Sequence, residues 1–256
     1  MARLRTRREG RHLILTLTDV GRQNALSAEM VAEFDAALDA LPENLGALVI
    51  EGEGGVFSAG ADLKALNAAL ATPPGETDPL EALNAAGGRF FARVHALPCV
   101  TVALVDGAAV GGGMGLAAAC DIAIATPRAR FGLSETSLGF PPAQIAPYLV
   151  ARLGLRIAMR LALTGARLSG QEAAALGLAD FYSETDGTDR LADVLAEVAR
   201  CAPGANAATK RLLRAVGTPD YIEGAARAFA AALRGPEGRE GMAAFAAKRA
   251  PDWAKP

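Results

Sequence analysis

Histidine is nearly absent from this chain of 256 residues: only His12 and His95 occur. That scarcity argues against an imidazole-based catalytic triad and against a histidine-rich metal site. Cysteine is scarce as well. Cys99, Cys120 and Cys201 are odd in number and lack metal-ligand spacing, so no metal is expected and a reducing compartment, the cytoplasm, is the simple reading. An excess of either charge is missing too. With 26 Lys and Arg against 28 Asp and Glu, the formal net charge is −2, which gives no case for nucleic acid or an anionic membrane as a partner. No apolar run reaches membrane-spanning length, so no membrane span is expected. The basic start from Met1 to Arg8 has no apolar stretch after it and is not expected to act as a secretory signal.

What the chain does have is apolar bulk, 51% hydrophobic against 21% charged, enough for one globular domain or one domain with a helical appendage. Strand-like patterns fall near 11–18, 47–52, 100–105 and 120–125, and helix-like patterns near 28–41, 79–96 and 111–119. That alternation predicts an α/β fold with buried strands. Residues 68–78 contain Pro73-Pro74-Gly75 and read as a mobile surface loop, either a gate to a site or a tolerated excursion. From about 141 onward the pattern turns helical, with Ala-rich amphipathic stretches over 144–162, 170–176, 190–200, 204–215 and 219–233. No flexible linker separates the two parts, so no independent second domain is expected. His95, just before Leu97-Pro98, reads as a surface or capping residue.

Two glycine-bearing segments carry the chemistry. The first is Phe57-Ser58-Ala59-Gly60-Ala61-Asp62-Leu63-Lys64 and the second is Gly111-Gly112-Gly113. Each follows a β-branched run and opens into a helix-compatible stretch. Free N–H groups at a helix start favour negative charge, and glycine lets a substrate oxygen approach the backbone. Alone, each segment reads more readily as a tight turn. Together they suggest two amide donors for one developing oxyanion, as when a carbonyl becomes an enolate. Gly111-Gly112-Gly113-Met114-Gly115 is not a dinucleotide fingerprint and has no Gly-Lys-Ser/Thr, so no redox or nucleotide cofactor is expected.

These segments, with Arg22-Gln23-Asn24-Ala25-Leu26-Ser27, Gly107 to Asp121, Phe131-Gly132-Leu133-Ser134-Glu135-Thr136, Gly139, Thr164-Gly165 and Ala173 to Gly177, resemble the crotonase, or enoyl-CoA hydratase/isomerase, family in the family's order. The resemblance covers most of the chain up to about residue 180. It implies an α/β fold: a spiral of ββα units over 1–197 that carries an acyl-CoA site. It also implies a helical segment over 198–256 that builds trimers, or a dimer of trimers, and contributes to the CoA pocket. The partner is then an acyl-CoA, whose coenzyme A is part of the substrate, so no separate cofactor is implied.

Residue by residue, the resemblance makes the backbone N–H groups of Ala61 and Gly112 the donors to the thioester oxygen. Losing one such donor typically costs about 3–4 kcal/mol of barrier. Glu135 matches the family's catalytic glutamate, and its small or apolar neighbours would raise its pKa by desolvation. Ala59 and Lys64 flank the first donor, where the CoA adenine and phosphates are expected, with Arg22 near the phosphates. Asp62 belongs to the same segment and reads as a cap for its loop. Gly111 sits beside the second donor. Met114, Phe140, Ile145 and Tyr148 are either acyl-pocket walls or core. Gln144 either faces a substrate carboxylate or satisfies a buried backbone group. Lys248, with Arg249, either approaches the CoA 3′-phosphate or complements a helix dipole. Asp121 is expected to hold the next strand by hydrogen bonds.

Gly115 departs from the pattern, since two-glutamate hydratases of the family carry their other glutamate there. The segment from Ser134 to Pro147 is similar to single-glutamate hydratases of the methylglutaconyl- and isohexenylglutaconyl-CoA type. A substrate with its own carboxylate would be repelled by a second glutamate, and a glycine would leave room for a branch. Three readings stay open. One is a hydratase that adds water across the 2,3 double bond with Glu135 alone. Another is a 3-enoyl-CoA/2-enoyl-CoA isomerase in which Glu135 carries a proton from C2 to C4. The third is an acyl-CoA-binding protein without turnover.

Overall fold

The structure is a computed structural model that describes residues 2–73, 75, 78–218 and 221–254. The chain opens with a hairpin, β1 (Leu4–Glu9) and β2 (His12–Leu17), paired antiparallel about Gly10 at φ +56. Helix α1 (Ala28–Asp39) follows, capped by Ser27, whose side chain accepts the Met30 N–H. A repeating pattern then begins, of one long strand, one short strand and helix. The first repeat is β3 (Ala47–Gly52), β4 (Val56–Ser58), α2 (Leu63–Ala71) and α3 (Pro79–Ala96). The second is β5 (Val100–Val105), β6 (Ala108–Val110) and α4 (Gly112–Ala119). The third is β7 (Ile122–Ala125), β8 (Arg130–Gly132), a 3-10 turn over Glu135–Leu138 and α5 (Ala146–Thr164).

Each long strand joins its predecessor in parallel, and so does each short strand, so the repeats climb as a spiral with two sheets. After α5 come β9 (Arg167–Ser169), α6 (Gly170–Leu176) and β10 (Phe181–Tyr182). The six-stranded sheet runs β1-β2-β3-β5-β7-β10 and the smaller sheet β4-β6-β8-β9. The remaining elements are helical: α7 (Thr188–Ala199), α8 (Pro203–Arg214), α9 (Tyr221–Arg234), α10 (Pro236–Ala246) and a short turn over Asp252–Ala254. Residue 197 therefore lies inside α7.

Strand alternation explains the two cores. In register, Ile14, Val49 and Val102 stand on one face of the large sheet, where Leu191, Val194, Leu195 and Val198 of α7 cover them. Leu15, Leu48 and Ile50 belong to the other core, with Phe34, Phe57, Phe90 and α4. Helix α4 is buried from Gly113 to Ala119, which fits a sequence of small apolar residues with no polar face. Asp121 ties the C-terminal helices to this frame. Its Oδ2 accepts the Thr101 N–H (2.8 Å) and Lys210 Nζ (2.5 Å), while Lys210 also reaches the Cys99 carbonyl (2.6 Å).

Strands β2, β3, β5 and β7 and helices α1, α3, α4 and α5 to α9 lie where periodicity predicts them, whereas β1, α10 and the short strands do not appear in the sequence pattern. Residues 68–71 belong to α2 rather than to a loop, while positions 74, 76 and 77 lie outside the described residues. The helix expected from 219 is described from Tyr221, since 219 and 220 lie outside them too. Helix α5 is broken at Gly154 (φ +69, ψ 159). His95 is half-buried rather than on the surface. Its Nδ1 lies 3.2 Å from the Ala119 carbonyl at the end of α4, its ring packs edge-on against Tyr148, and burial lowers its pKa. Among the described residues, no helix is long and apolar enough to cross a membrane.

Candidate active site

The first glycine segment is shaped by two buried polar side chains. Asn24 Nδ2 donates to the carbonyls of Val56 (2.7 Å) and Glu53 (3.1 Å), and Ser58 Oγ donates to the Asn24 carbonyl (2.7 Å) while accepting the Gly60 N–H (3.1 Å). The loop is then stitched to the chain before α1, with the Ala59 N–H on the Gln23 carbonyl and the Leu26 N–H on the Gly60 carbonyl. Gly60 has φ +82, and a Cβ there would fall 2.5 Å from the Val110 carbonyl oxygen and 2.6 Å from the Gly112 nitrogen. A Cβ on Gly113 would fall 2.1 Å from the Ser58 carbonyl oxygen. The two glycine segments therefore meet backbone to backbone, an approach open only to residues without side chains.

The amides around this meeting point are engaged: Ala59 and Gly60 as above, and Gly111 by the Gly132 carbonyl (2.9 Å). The N–H groups of Ala61 and of Gly112, the first residue of α4, have no acceptor of this kind among the described residues. A Cβ on Gly112 would lie 3.5 Å from the Ala61 nitrogen, so the two amides are neighbours at a helix start, where the dipole favours negative charge.

Glu135 begins the 3-10 turn after β8. Thr136 Oγ1 anchors that turn on the Ala162 carbonyl (2.6 Å), and the Phe140 N–H closes it on the Glu135 carbonyl (3.2 Å). The carboxylate comes close to Gly111, where a Cβ would lie 3.0 Å from Glu135 Oε1. Its Oε2 is buried with no hydrogen-bond partner. Burial pushes the Glu135 pKa up, partly offset by its own amide and that of Ser134.

Ala61, Gly112 and Glu135 all line one cavity of about 450 Å³. Its walls are Leu26 and Val31, Leu83, Phe90 and Phe91 of α3, and the segment from Phe140 to Ile145. Asp62, Phe140, Gln144 and Ile145 line it as well. Asp62 caps α2, accepting the N–H groups of Lys64 and Ala65. Met114 is core, 1% exposed, and Tyr148 packs on Phe91 and His95.

Arg22, Ala59, Lys64, Gly111, Gly115 and Lys248 do not line the cavity. Arg22 ends a 3-10 turn and pairs with Glu29 at 3.7 Å. Lys64 is exposed in the first turn of α2, and Lys248 is exposed beyond α10 at φ +51. Gly115 does not leave room for a substrate branch. A Cβ there would fall 2.1 Å from Cγ2 of Ile145, whose side chain already fills that space.

Sequence reasoning missed the pinning roles of Asn24 and Ser58, and missed Asn84 on the cavity wall. Their contacts span tens of residues, so no local pattern announces them.

The profile of the enoyl-CoA hydratase/isomerase family matches residues 10–256. The chain is 34% identical over 262 residues to the 2,3-dehydroadipyl-CoA hydratase of Escherichia coli strain K12, covering 99% of each. It superposes on the crystal structure of an enoyl-CoA hydratase/isomerase from Marinobacter aquaeolei with a TM-score of 0.93 at 42% identity, covering 99% of each chain. It superposes equally well on Pseudomonas aeruginosa AtuE, with a TM-score of 0.93 at 44% identity, covering 99% of this chain and 100% of that one.

Proposed function

The chain belongs to the enoyl-CoA hydratase/isomerase family, and from that premise we propose that it is an enoyl-CoA hydratase working through a single carboxylate. One observation carries the reading. Among the described residues, three carboxylates line the cavity, and two are engaged elsewhere: Asp62 caps α2 and Asp35 is paired with Arg93 at 2.6 Å. Among the described residues, Glu135 is the one of the three with a buried oxygen that has no hydrogen-bond partner, and it lines the same cavity as the two unengaged amides.

The thioester oxygen accepts the Ala61 and Gly112 N–H groups. Glu135 takes a proton from water as the water oxygen bonds to C3, and electrons move through C2 to the thioester oxygen as an enolate. The donors meet the charge where it develops, which lowers the barrier. Glu135, now neutral, returns the proton to C2, so one water is added and the carboxylate is regenerated. A raised pKa suits both halves: it makes the carboxylate a better base and its acid form easier to reach.

A second reading has a specific basis. No second acid stands beside Glu135 at position 115, and an isomerase moving one proton from C2 to C4 needs none. A mass-resolved product assay in ¹⁸O-labelled water separates the two. With 2-enoyl-CoA, gain of one labelled water supports the hydratase. Double-bond migration of 3-enoyl-CoA without mass gain supports the isomerase. Binding without product supports neither and leaves a binding protein.

The same family reading extends to self-association as a trimer or a dimer of trimers. Ile222 and Phe229 of α9 and Phe245 of α10 are 75%, 69% and 82% exposed, which supports packing of these helices against other copies.

A further inference from the structure

Among the described residues, six polar side chains line the cavity. Four have partners or roles already given: Ser27 caps α1, Asp62 caps α2, Asp35 pairs with Arg93, and Glu135 is the acid–base group. The other two are Asn84 of α3 and Gln144, and they bond to each other, Gln144 Nε2 donating to Asn84 Oδ1 at 2.7 Å. That bond uses one donor and one acceptor. The Asn84 amide group and a second Gln144 N–H remain as donors.

Their seat is unusual for a helix. Gly87 and Gly88 sit together inside α3, although glycine is unfavourable there against alanine. Gly87 lines the cavity, and a Cβ there would meet nothing within 4 Å. A Cβ on Gly88 would fall 2.3 Å from Gln144 Oε1. One glycine thus leaves space open beside the cavity, and the next admits the Gln144 amide. No Lys, Arg or His lines the cavity among the described residues, so any oxygen bound at this wall is held by neutral amide donors.

We infer that the Asn84–Gln144 pair determines acyl specificity, selecting acyl groups that carry an oxygen acceptor, as a carboxylate or a carbonyl, away from the thioester. This rests on the acyl-CoA reading above. A methyl-ended chain reaching this wall gains no bond from these donors, whereas an oxygen-bearing chain accepts from them.

The test compares kcat/KM for 2-hexenoyl-CoA, 2,3-dehydroadipyl-CoA and the methyl ester of the latter, which share one chain length. The wild-type protein is expected to favour an oxygen-bearing substrate by about tenfold or more. Asn84→Ala removes the donor from an exposed helix position. Gly88→Ala displaces the Gln144 amide while raising helix propensity. Both are expected to erase the preference, with kcat/KM for the oxygen-bearing substrates falling to that for 2-hexenoyl-CoA and Tm maintained. A preference for the dehydroadipyl substrate alone makes the acceptor a carboxylate, and one shared with the ester makes it a carbonyl. Equal wild-type efficiencies, or equal losses on all three substrates in the variants, would reduce the pair to a latch between α3 and the segment 141–145 and overturn the inference. If no substrate turns over, the hydratase reading fails separately. Calorimetric binding of adipyl-CoA against hexanoyl-CoA then decides: a preference lost in Asn84→Ala supports the inference, and equal affinities overturn it.

Discussion

Ile145 occupies the space that a side chain on Gly115 would need. A Cβ on Gly115 would lie 2.1 Å from Ile145 Cγ2 and 2.8 Å from Ile145 Cβ. Gly115 is one turn beyond Gly112 in α4, and Ile145 stands in the cavity wall just before α5. The missing second carboxylate is therefore half of a packing arrangement whose other half is an aliphatic side chain 30 residues away.

Gly115→Glu is accordingly expected to destabilise the protein whatever the substrate, by about 1–3 kcal/mol, the usual cost of forcing extra atoms into a packed core. Adding Ile145→Ala should recover part of that loss, because it removes the methyl group in the way. Denaturant unfolding of the two single variants and the double variant measures the coupling. Additive losses would mean that the two residues do not compete for the same space.

Glu135 ties stability to chemistry. Burial raises its pKa, so the folded protein favours the neutral carboxyl. Stability from this group is fully present below the ordinary carboxylate range and is lost as pH rises through the folded-state pKa. Glu135→Gln removes that loss. Its Tm should exceed the wild-type value by a margin that widens from acid to neutral pH, while turnover falls about a hundredfold or more. Calorimetry across that pH range, with a turnover assay at neutral pH, checks both. A constant margin would mean the carboxylate is not desolvated in the folded protein.

The parts legible in the sequence were those whose signal is local. The strands over 47–52 and 100–105 are runs of apolar residues, and the structure places strands there. Ala61, Gly112 and Glu135 stand out through short motifs around them, and the structure brings all three to one cavity. What stayed hidden depends on distant partners. The strand Val56–Ser58 is three residues long and is defined by its pairing with Ala108–Val110 rather than by any periodicity of its own. Gln144 reads ambiguously until Asn84, 60 residues earlier, appears beside it. Gly115 reads as room for a substrate until Ile145 is seen to fill that room.

Gly60 offers the sharpest separation of the oxyanion donors from the acid–base group. Its backbone has φ +82, unfavourable for any residue with a side chain, and the atoms a Cβ would strike are the Val110 carbonyl oxygen and the Gly112 nitrogen, both backbone. Neither can swing aside as a long side chain would. Gly60→Ala must therefore push the loop carrying Ala61 away from the start of α4 and spread the two amides apart. Glu135, held by its own turn on the other side of Gly111, keeps its position. The expected outcome is a fall in kcat of about 10²–10³, the scale of losing one oxyanion donor. The pH at which the remaining activity titrates should stay as in the wild type, since Glu135 is unmoved. Gly224→Ala, in α9 with nothing within 4 Å of its Cβ position, is the matched control and should keep full activity. Steady-state kinetics across pH for both variants makes the comparison, and full activity in Gly60→Ala would remove the Ala61 and Gly112 amides from the mechanism.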